Sequence, residues 1–223
     1  MDVNALAVRA LLSCRQAVLA TQSGSIPGFP LTSVVPVSIS PEGQIIVLMS
    51  DLAQHARNIY LDNRVSMMLH NDQEQNWQAA TRLSVLGRME ALDLEPTALQ
   101  SLRDAYYRAH PELADFDRAP DFQFWILQPL RFRLIAGYAQ VRWLKQVQTF
   151  AFPLESEDIA QIEQRLPHRG KPIRLLHACQ YGVQIAESGR VRFLSFRKPV
   201  GTLAGLLMSL TTGSFDDPRL NKP

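Results

Sequence analysis

The chain has 223 residues, 46% of them apolar and 20% charged, with a formal net charge of +2 at neutral pH. This is a globular composition, and it excludes a disordered, collagenous or coiled-coil chain. A balance so near neutrality gives no electrostatic case for nucleic acid, and the length fits one large domain or one domain with an appendage.

Residues 4–13 place Ala5, Leu6, Val8, Leu11 and Leu12 at helical spacing. The apolar run QAVLATQ follows, then LTSVVPVSI on period two, where Pro36 points to a sheet edge or a bulge. Pro41, Glu42 and Gly43 form a turn signal before QIIVLMS, so these last two runs are expected to make a hairpin. From 51 to 62 the period changes, and Leu52, Ala56, Ile59 and Tyr60 share a helical face. Asp51 is expected to cap that helix, with Gln54 three residues on. Residues 64–70 and 81–92 read as strands. Asp93 is expected to cap a helix striped by Leu99, Leu102 and Tyr106, which Pro111 ends just after His110. Residues 121–144 hold two strands with a break expected at Pro129. Residues 145–156 form a connector and 157–166 a helix. Residues 175–196 read as one strand, a turn at Glu187, Ser188 and Gly189, and a second strand. A short apolar helix at 200–211 precedes a polar, frayed tail over 213–223.

Two uncharged stretches, 16–41 and 199–215, are interrupted by proline or by Gly, Ser and Thr. Neither supplies the ~20 largely apolar residues of a spanning helix, so no membrane partner is expected. The first residues carry an acid at position 2 and no basic stretch, unlike a secretory signal. The two cysteines, Cys14 and Cys179, exclude a disulfide framework and a Cys-rich zinc site. Isolated thiols suit a reducing compartment, and a cytoplasmic protein is expected. No Walker sequence, no G-x-G-x-x-G and no G-x-S-x-G elbow occurs.

The element order implies a mainly β chain with an α+β appendage. Strands broken only by capping helices suggest an antiparallel barrel of six or seven strands, closed or nearly closed. The expected division is a barrel over 1–148 and a small α+β unit over 149–223.

Several strings carry a resemblance: VLATQSGSIPGFPLTSVVP, GQIIVLMSDLAQHARNIYLDNRVSMML, TRLSVLGRMEAL and DFQFWILQPLRFRLIAGYAQVRWL. Together they resemble the FMN-binding split barrel of the pyridoxamine-phosphate-oxidase-like superfamily over about 15–145. The pattern S-x-L-A-x-H-x-x-N-I, followed by R-V-S, is similar to the haem-utilisation (HugZ/HutZ-like) branch. YGVQIAESGRVRFLSFRKPV resembles the small domain fused to such barrels. The resemblance implies a homodimer with a ligand crevice shared between subunits.

Flavin-binding members hold the FMN phosphate with an arginine on the second strand, an Arg-Lys pair at the short helix, and a Gln after an Arg on a later strand. The corresponding positions here are Thr32 or Ser33, Gln54 and His55, and Leu83 after a retained Arg82. The helix start at Ser50–Ala53 is expected to offer free N–H groups to an anion, with a protonated His55 and Arg57 adding charge. The haem branch implies a histidine ligand on a C-terminal loop. The tail FDDPRLNKP has none, which leaves His168 as the candidate iron ligand, with Arg165, Arg169 and Lys171 near it for the propionates. His70, His110 and His177 are read as structural. Three functions follow: a haem-utilisation protein that binds haem and degrades it oxidatively, an FMN-binding oxidoreductase, and a cofactor-free binding module.

Overall fold

Alternating apolar residues turn most of the first two thirds of the chain into strands. The computed structural model describes residues 2–40, 42–70, 80–137, 140–167 and 170–216. Helix α1 (Val3–Leu12) opens the chain, and the Asp2 carboxylate accepts from the Asn4 N–H as its cap. Strands β1 (Gln16–Gln22), β2 (Pro30–Pro36), β3 (Ser38–Ile39) and β4 (Ile45–Ser50) follow. Next come α2 (Gln54–Leu61), β5 (Arg64–His70), β6 (Thr81–Ala91), α3 (Pro96–Ala109), a 3₁₀ segment (Pro111–Arg118), β7 (Phe122–Ala136) and β8 (Val141–Leu144). All pairings are antiparallel, in the order β2-β1-β5-β6-β7-β4-β3. β8 takes the edge of β7 beyond β4. The sheet curls so that β2 and β4 approach each other, with no ladder between them among the described residues. Every second side chain, such as Leu19, Met67, Leu83, Val85 and Leu134, fills the interior. This is the expected split barrel.

Four local expectations fail for physical reasons. The chain bends at Pro36, and the Val37 N–H donates to the Arg15 carbonyl at 2.8 Å. β2 therefore pairs with β1 along its whole length, and only the two residues of β3 pair with β4. Alternation reveals a strand but not its partner. Pro36 does sit on an edge strand, as its missing N–H requires. Pro129 breaks nothing: β7 runs through it, and a register shift at Leu86 and Gly87 of β6 absorbs the lost bond. A Cβ on Gly87 would lie 2.2 Å from the Gln128 carbonyl oxygen, so only glycine allows this approach. Helix α3 starts after Glu95 with Pro96 in its first turn, not at Asp93. The run from 175 to 187 is two strands, because the chain turns at 180–181.

The remaining elements are α4 (Ser156–Arg165), β9 (Ile173–Cys179), β10 (Gly182–Glu187), β11 (Arg190–Phe196), α5 (Leu203–Thr211) and β12 (Phe215–Asp216). Glu155 and Asp158 close a capping box on α4. The strands form a second sheet, β12-β11-β10-β9, so the start of the expected frayed tail is a short strand; residues 217–223 lie outside the described residues. One face of this sheet packs on α4 and α5 through Ile162, Leu175, Val183, Leu194 and Leu206. The other faces the barrel, and Cys179 and Phe193 join the barrel's own core. Asn4 ties the two parts, donating to the Gln148 carbonyl at 2.9 Å and to the Tyr181 hydroxyl at 3.1 Å. Among the described residues, no helix is long and apolar enough to cross a membrane.

Candidate functional site

The two ends of the barrel differ. At one end α1 packs against β5 and β6 and is backed by β11, so hydrocarbon plugs the opening. The other end is where β4 finishes, β5 and β7 begin, and α2 lies. Sequence places α2 there because its apolar positions are few: Ala56 and Ile59 are buried, and between them so is Asn58. The Asn58 Oδ1 accepts from the Gly24 N–H at 3.1 Å and from Gln54 Nε2 at 2.9 Å. Its Nδ2 donates to Thr21 Oγ1 at 2.9 Å. One amide thus fastens α2 to β1 and to the β1–β2 loop. Sequence reasoning quoted Asn58 in a pattern and gave it no role; the available signal was a polar residue within a buried helical stripe.

The helix start is not the expected anion cradle. Ser50 Oγ donates to Asp121 Oδ2 at 2.5 Å and accepts from the Leu52 N–H at 3.1 Å. The Asp51 N–H donates to the Asp121 carbonyl at 2.8 Å, and the Ala53 N–H to the Ser50 carbonyl at 3.0 Å. The amides of residues 51–53 are therefore already used. Asp51 is not the N-cap: α2 begins at Gln54, after Ala53 and without a side-chain cap. The Asp51 carboxylate instead accepts from the Tyr60 hydroxyl at 3.0 Å and from Gln123 Nε2 at 2.8 Å. Two carboxylates, Asp51 and Asp121, thus border a position that a phosphate would need electropositive.

His55 is half-buried, and burial pushes its pKa below the ordinary 6.5. At neutral pH it is an uncharged imidazole, not the expected imidazolium. Gln54 and Arg57 are exposed on the same helix, and Ser50 lies just before it. α2 also contacts β2, the strand of Thr32 and Ser33. Thr32 is exposed opposite Ala20, and Ser33 is half-buried opposite Leu19. Arg82 does not join this group. It sits opposite His70 and Ile135, at the plugged end. It precedes Gly87 by five residues, about 16 Å of strand. His168 and Arg169 lie outside the described residues. His110 is structural, as expected, but not as an imidazolium: its Nε2 donates to the Val37 carbonyl at 2.9 Å, and burial lowers its pKa.

Beside α2 lies an open groove of about 560 Å³, with Ile59, Met89 and Trp125 among its lining. Trp125 Nε1 is buried there without a hydrogen-bond partner. Tyr60 meets the Trp125 ring edge-on at 5.2 Å. His55 stands one helical turn before Ile59, on the same side of α2. Asp62 and Asn63 form the rim. Two arginines that sequence reasoning missed hold this rim. Arg64 and Arg88 sit directly opposite each other on β5 and β6. Arg64 Nη2 pairs with Asp62 Oδ2 at 2.5 Å, and Arg88 Nη1 donates to Asn63 Oδ1 at 2.9 Å. The Arg64 hydrogen bonds hold the Asp62 carboxyl at about 2, with Arg88 adding charge. Opposed like charges are unfavourable, and the Asp62 carboxylate offsets them. Around the groove, Ile26, Phe29, Leu52, Tyr60 and Leu61 are exposed apolar side chains. They make an apolar apron on the β1–β2 loop and around α2, and the loop touches the helix: a Cβ on Gly24 would lie 2.6 Å from Leu61 Cδ1.

Comparison with known proteins follows the same line. The family model described as CREG, beta-barrel, matches residues 2–152. A non-canonical heme oxygenase HOZ, chloroplastic, from Arabidopsis thaliana is 26% identical over 122 residues, which is 55% of this chain and 36% of that protein. The chain thus spans about a third of that curated relative. The protein Atu2129 of Agrobacterium tumefaciens, of unknown function, superposes with a TM-score of 0.69 at 19% identity, over 95% of both chains. A heme binding protein from Mycobacterium smegmatis gives 0.60 at 19% identity, over 96% of this chain and 98% of that one. These two likenesses show the fold. The family match covers more than half of the sequence, and the chain belongs to the CREG β-barrel family.

Proposed function

We propose that this member of the CREG β-barrel family binds haem at the open barrel end, for haem-iron utilisation. One observation carries the reading: a groove lined by Ile59, Met89 and Trp125 has an uncharged imidazole one turn away along α2, and the opposed Arg64 and Arg88 bond to its lining residues Asp62 and Asn63. A porphyrin needs apolar surface for its faces, and its two propionates need cations. His55 supplies the imidazole nitrogen, and Arg64 and Arg88 supply the cations. Among the described histidines, His110 and His177 are buried elsewhere and His70 lies at the plugged end. The resemblance to a heme oxygenase supports the same ligand. Haem, when bound, supplies an iron centre able to activate dioxygen; the protein's part is to bind, orient and keep water out. The reading extends to a homodimer, in which a second copy covers the apolar apron and completes the crevice. The two buried cysteines, neither in a disulfide, fit a reducing compartment, the cytoplasm, and burial raises the Cys179 thiol to about 11, which makes it inert.

The flavin reading is the weaker one. Thr32, Ser33 and Gln54 stand where flavin-binding relatives place cations, His55 is uncharged, and two carboxylates border the helix start.

Titration with haemin, followed by the Soret band, should saturate at one haem per protomer. His55→Ala should weaken binding roughly ten- to a hundredfold, corresponding to about 1.5–3 kcal/mol. Because the neutral imidazole is the donor, binding should be flat above pH 6.5 and weaken as the solution is acidified through the lowered pKa. FMN should bind weakly under the same conditions. Tighter binding of FMN than of haemin, or unchanged haemin affinity in His55→Ala, would overturn the assignment. Loss of the Soret band on adding ascorbate in air tests whether bound haem is also consumed. Light scattering near twice 25.1 kDa tests the dimer.

A further inference from the structure

A second cavity, of about 510 Å³, lies between the barrel and the C-terminal sheet. Its size falls within the roughly 300–1,000 Å³ of small-molecule sites. Its wall comes from the β3–β4 turn, α3, the segment after residue 150, α4 and β9. Much of that wall is hydrocarbon, including Ile39, Phe152, Leu154 and Leu175. The titratable groups converge from three places: Glu42 beside β4, Asp104 and Arg108 on α3, and His177 on β9, with the Ser101 hydroxyl of α3 among them.

His177 reaches this space through a backbone irregularity. Leu175 pairs with Ile185 and His177 with Gln184, so Leu176 is an extra residue and β9 is bulged there. Without the bulge, His177 would point with Leu175 into the core under α4 and α5. With it, His177 and Cys179 turn towards the barrel while Ala178 stays in that core. Re-aiming a side chain is a recurrent use of bulges. The result is a histidine only 5% exposed whose Nε2 is buried without a hydrogen-bond partner. Leaving such a group unpaired costs about 1–3 kcal/mol, which a residue kept only for packing would not need to bear.

The charges around the cavity narrow the ligand. Burial drives the His177 pKa down to about 4 although Glu42 opposes the shift, so the ring is neutral at physiological pH. Arg108 is the cation in the wall, and its Nη1 lies 3.7 Å from Glu163. With Glu42 and Asp104 also present, an anion finds no net attraction here. A cation would have to leave water for a largely apolar pocket. A neutral molecule with an apolar body and one hydroxyl matches the lining, and a hydroxyl can serve either imidazole tautomer as donor or acceptor.

We propose that this cavity binds a small, uncharged aromatic or alicyclic alcohol, whose ring system fills the apolar space and whose hydroxyl bonds to Nε2 of His177. The site is separate from the open barrel end and does not depend on the haem reading. The test uses the full chain with 2-naphthol and with naphthalene, which lacks the hydroxyl. 2-Naphthol should bind at least tenfold more tightly and shift the Nε2 nitrogen resonance of His177. In His177→Leu the preference should vanish while naphthalene affinity stays within a few-fold, and the melting temperature should match or exceed that of the parent chain. His177→Gln, which keeps a hydrogen-bonding group, should retain part of the preference and serves as the second variant if His177→Leu does not fold. Equal affinity for the two probes, a preference that survives in His177→Leu, or no binding of either up to its solubility would each overturn the proposal.

Discussion

The plugged and the open end of the barrel solve the same geometric problem with opposite materials. At the plugged end, Leu11, Leu12, Cys179 and Phe193 bring hydrocarbon to the opening, and the second sheet shares the barrel's core. At the open end, side-chain hydrogen bonds do the positioning: Asn58 ties α2 to β1, and Ser50, Asp51, Asp121 and Gln123 lock the turn before it. Apolar packing is non-directional and gives stability, whereas hydrogen bonds fix orientation at small net gain. The open end uses the directional kind and leaves apolar side chains such as Leu52, Tyr60 and Leu61 uncovered.

The largest effect should come from breaking the plug. Phe193→Ala should cost about 3–5 kcal/mol, the range for a buried aromatic, measured by denaturant unfolding. We propose a boundary between the two units at 148/149. If they were energetically independent, the same substitution would broaden or split the transition instead of moving a single one, and that outcome would break the comparison. A second test is acid. His177 is held neutral in the folded state at a pKa near 4, below its ordinary 6.5. A lowered histidine pKa means that the unfolded chain binds the proton first. Its contribution is complete above pH 6.5 and lost as pH falls towards 4, by up to about 3 kcal/mol. His110, also pushed down by burial, adds to the slope below pH 6.5, so His177→Leu should remove only part of it. A pH profile identical in parent and variant would show that this histidine titrates normally. The smallest effect belongs to the open end. Asn58→Ala leaves Thr21 and the Gly24 N–H without their partner and should cost about 1–3 kcal/mol. It should weaken haemin binding more than its stability cost alone explains, because α2 loses its anchor. A variant as stable as the parent, with intact haemin affinity, would show that α2 is positioned by packing alone.

Much of the open end was legible in the chain. The strings around Ser50, His55 and Asn58 marked a short helix between two strands, and the structure puts that helix at the unplugged end. The N–H groups before it are not free as expected. A helix start with Ser and Asp before it looks like an anion site until Asp121, 70 positions beyond Asp51, takes the Asp51 amide and the Ser50 hydroxyl. Arg64 and Arg88 were given no role, because nothing local says that the β5–β6 register sets them opposite each other. Arg82 was credited from its place in a pattern, and the same register carries it to the other end.

The sequence by itself determined the antiparallel barrel, its edge proline and the appended α+β unit, since periodicity and turn chemistry are properties of neighbouring residues. Only the tertiary structure decided which strand pairs with which and where the Asn58 amide and the opposed arginines come together. It alone aimed His177, through a one-residue bulge, at a cavity between two sheets. Those outcomes depend on register and on contacts between distant segments, and a one-residue slip in register turns every side chain to the opposite face.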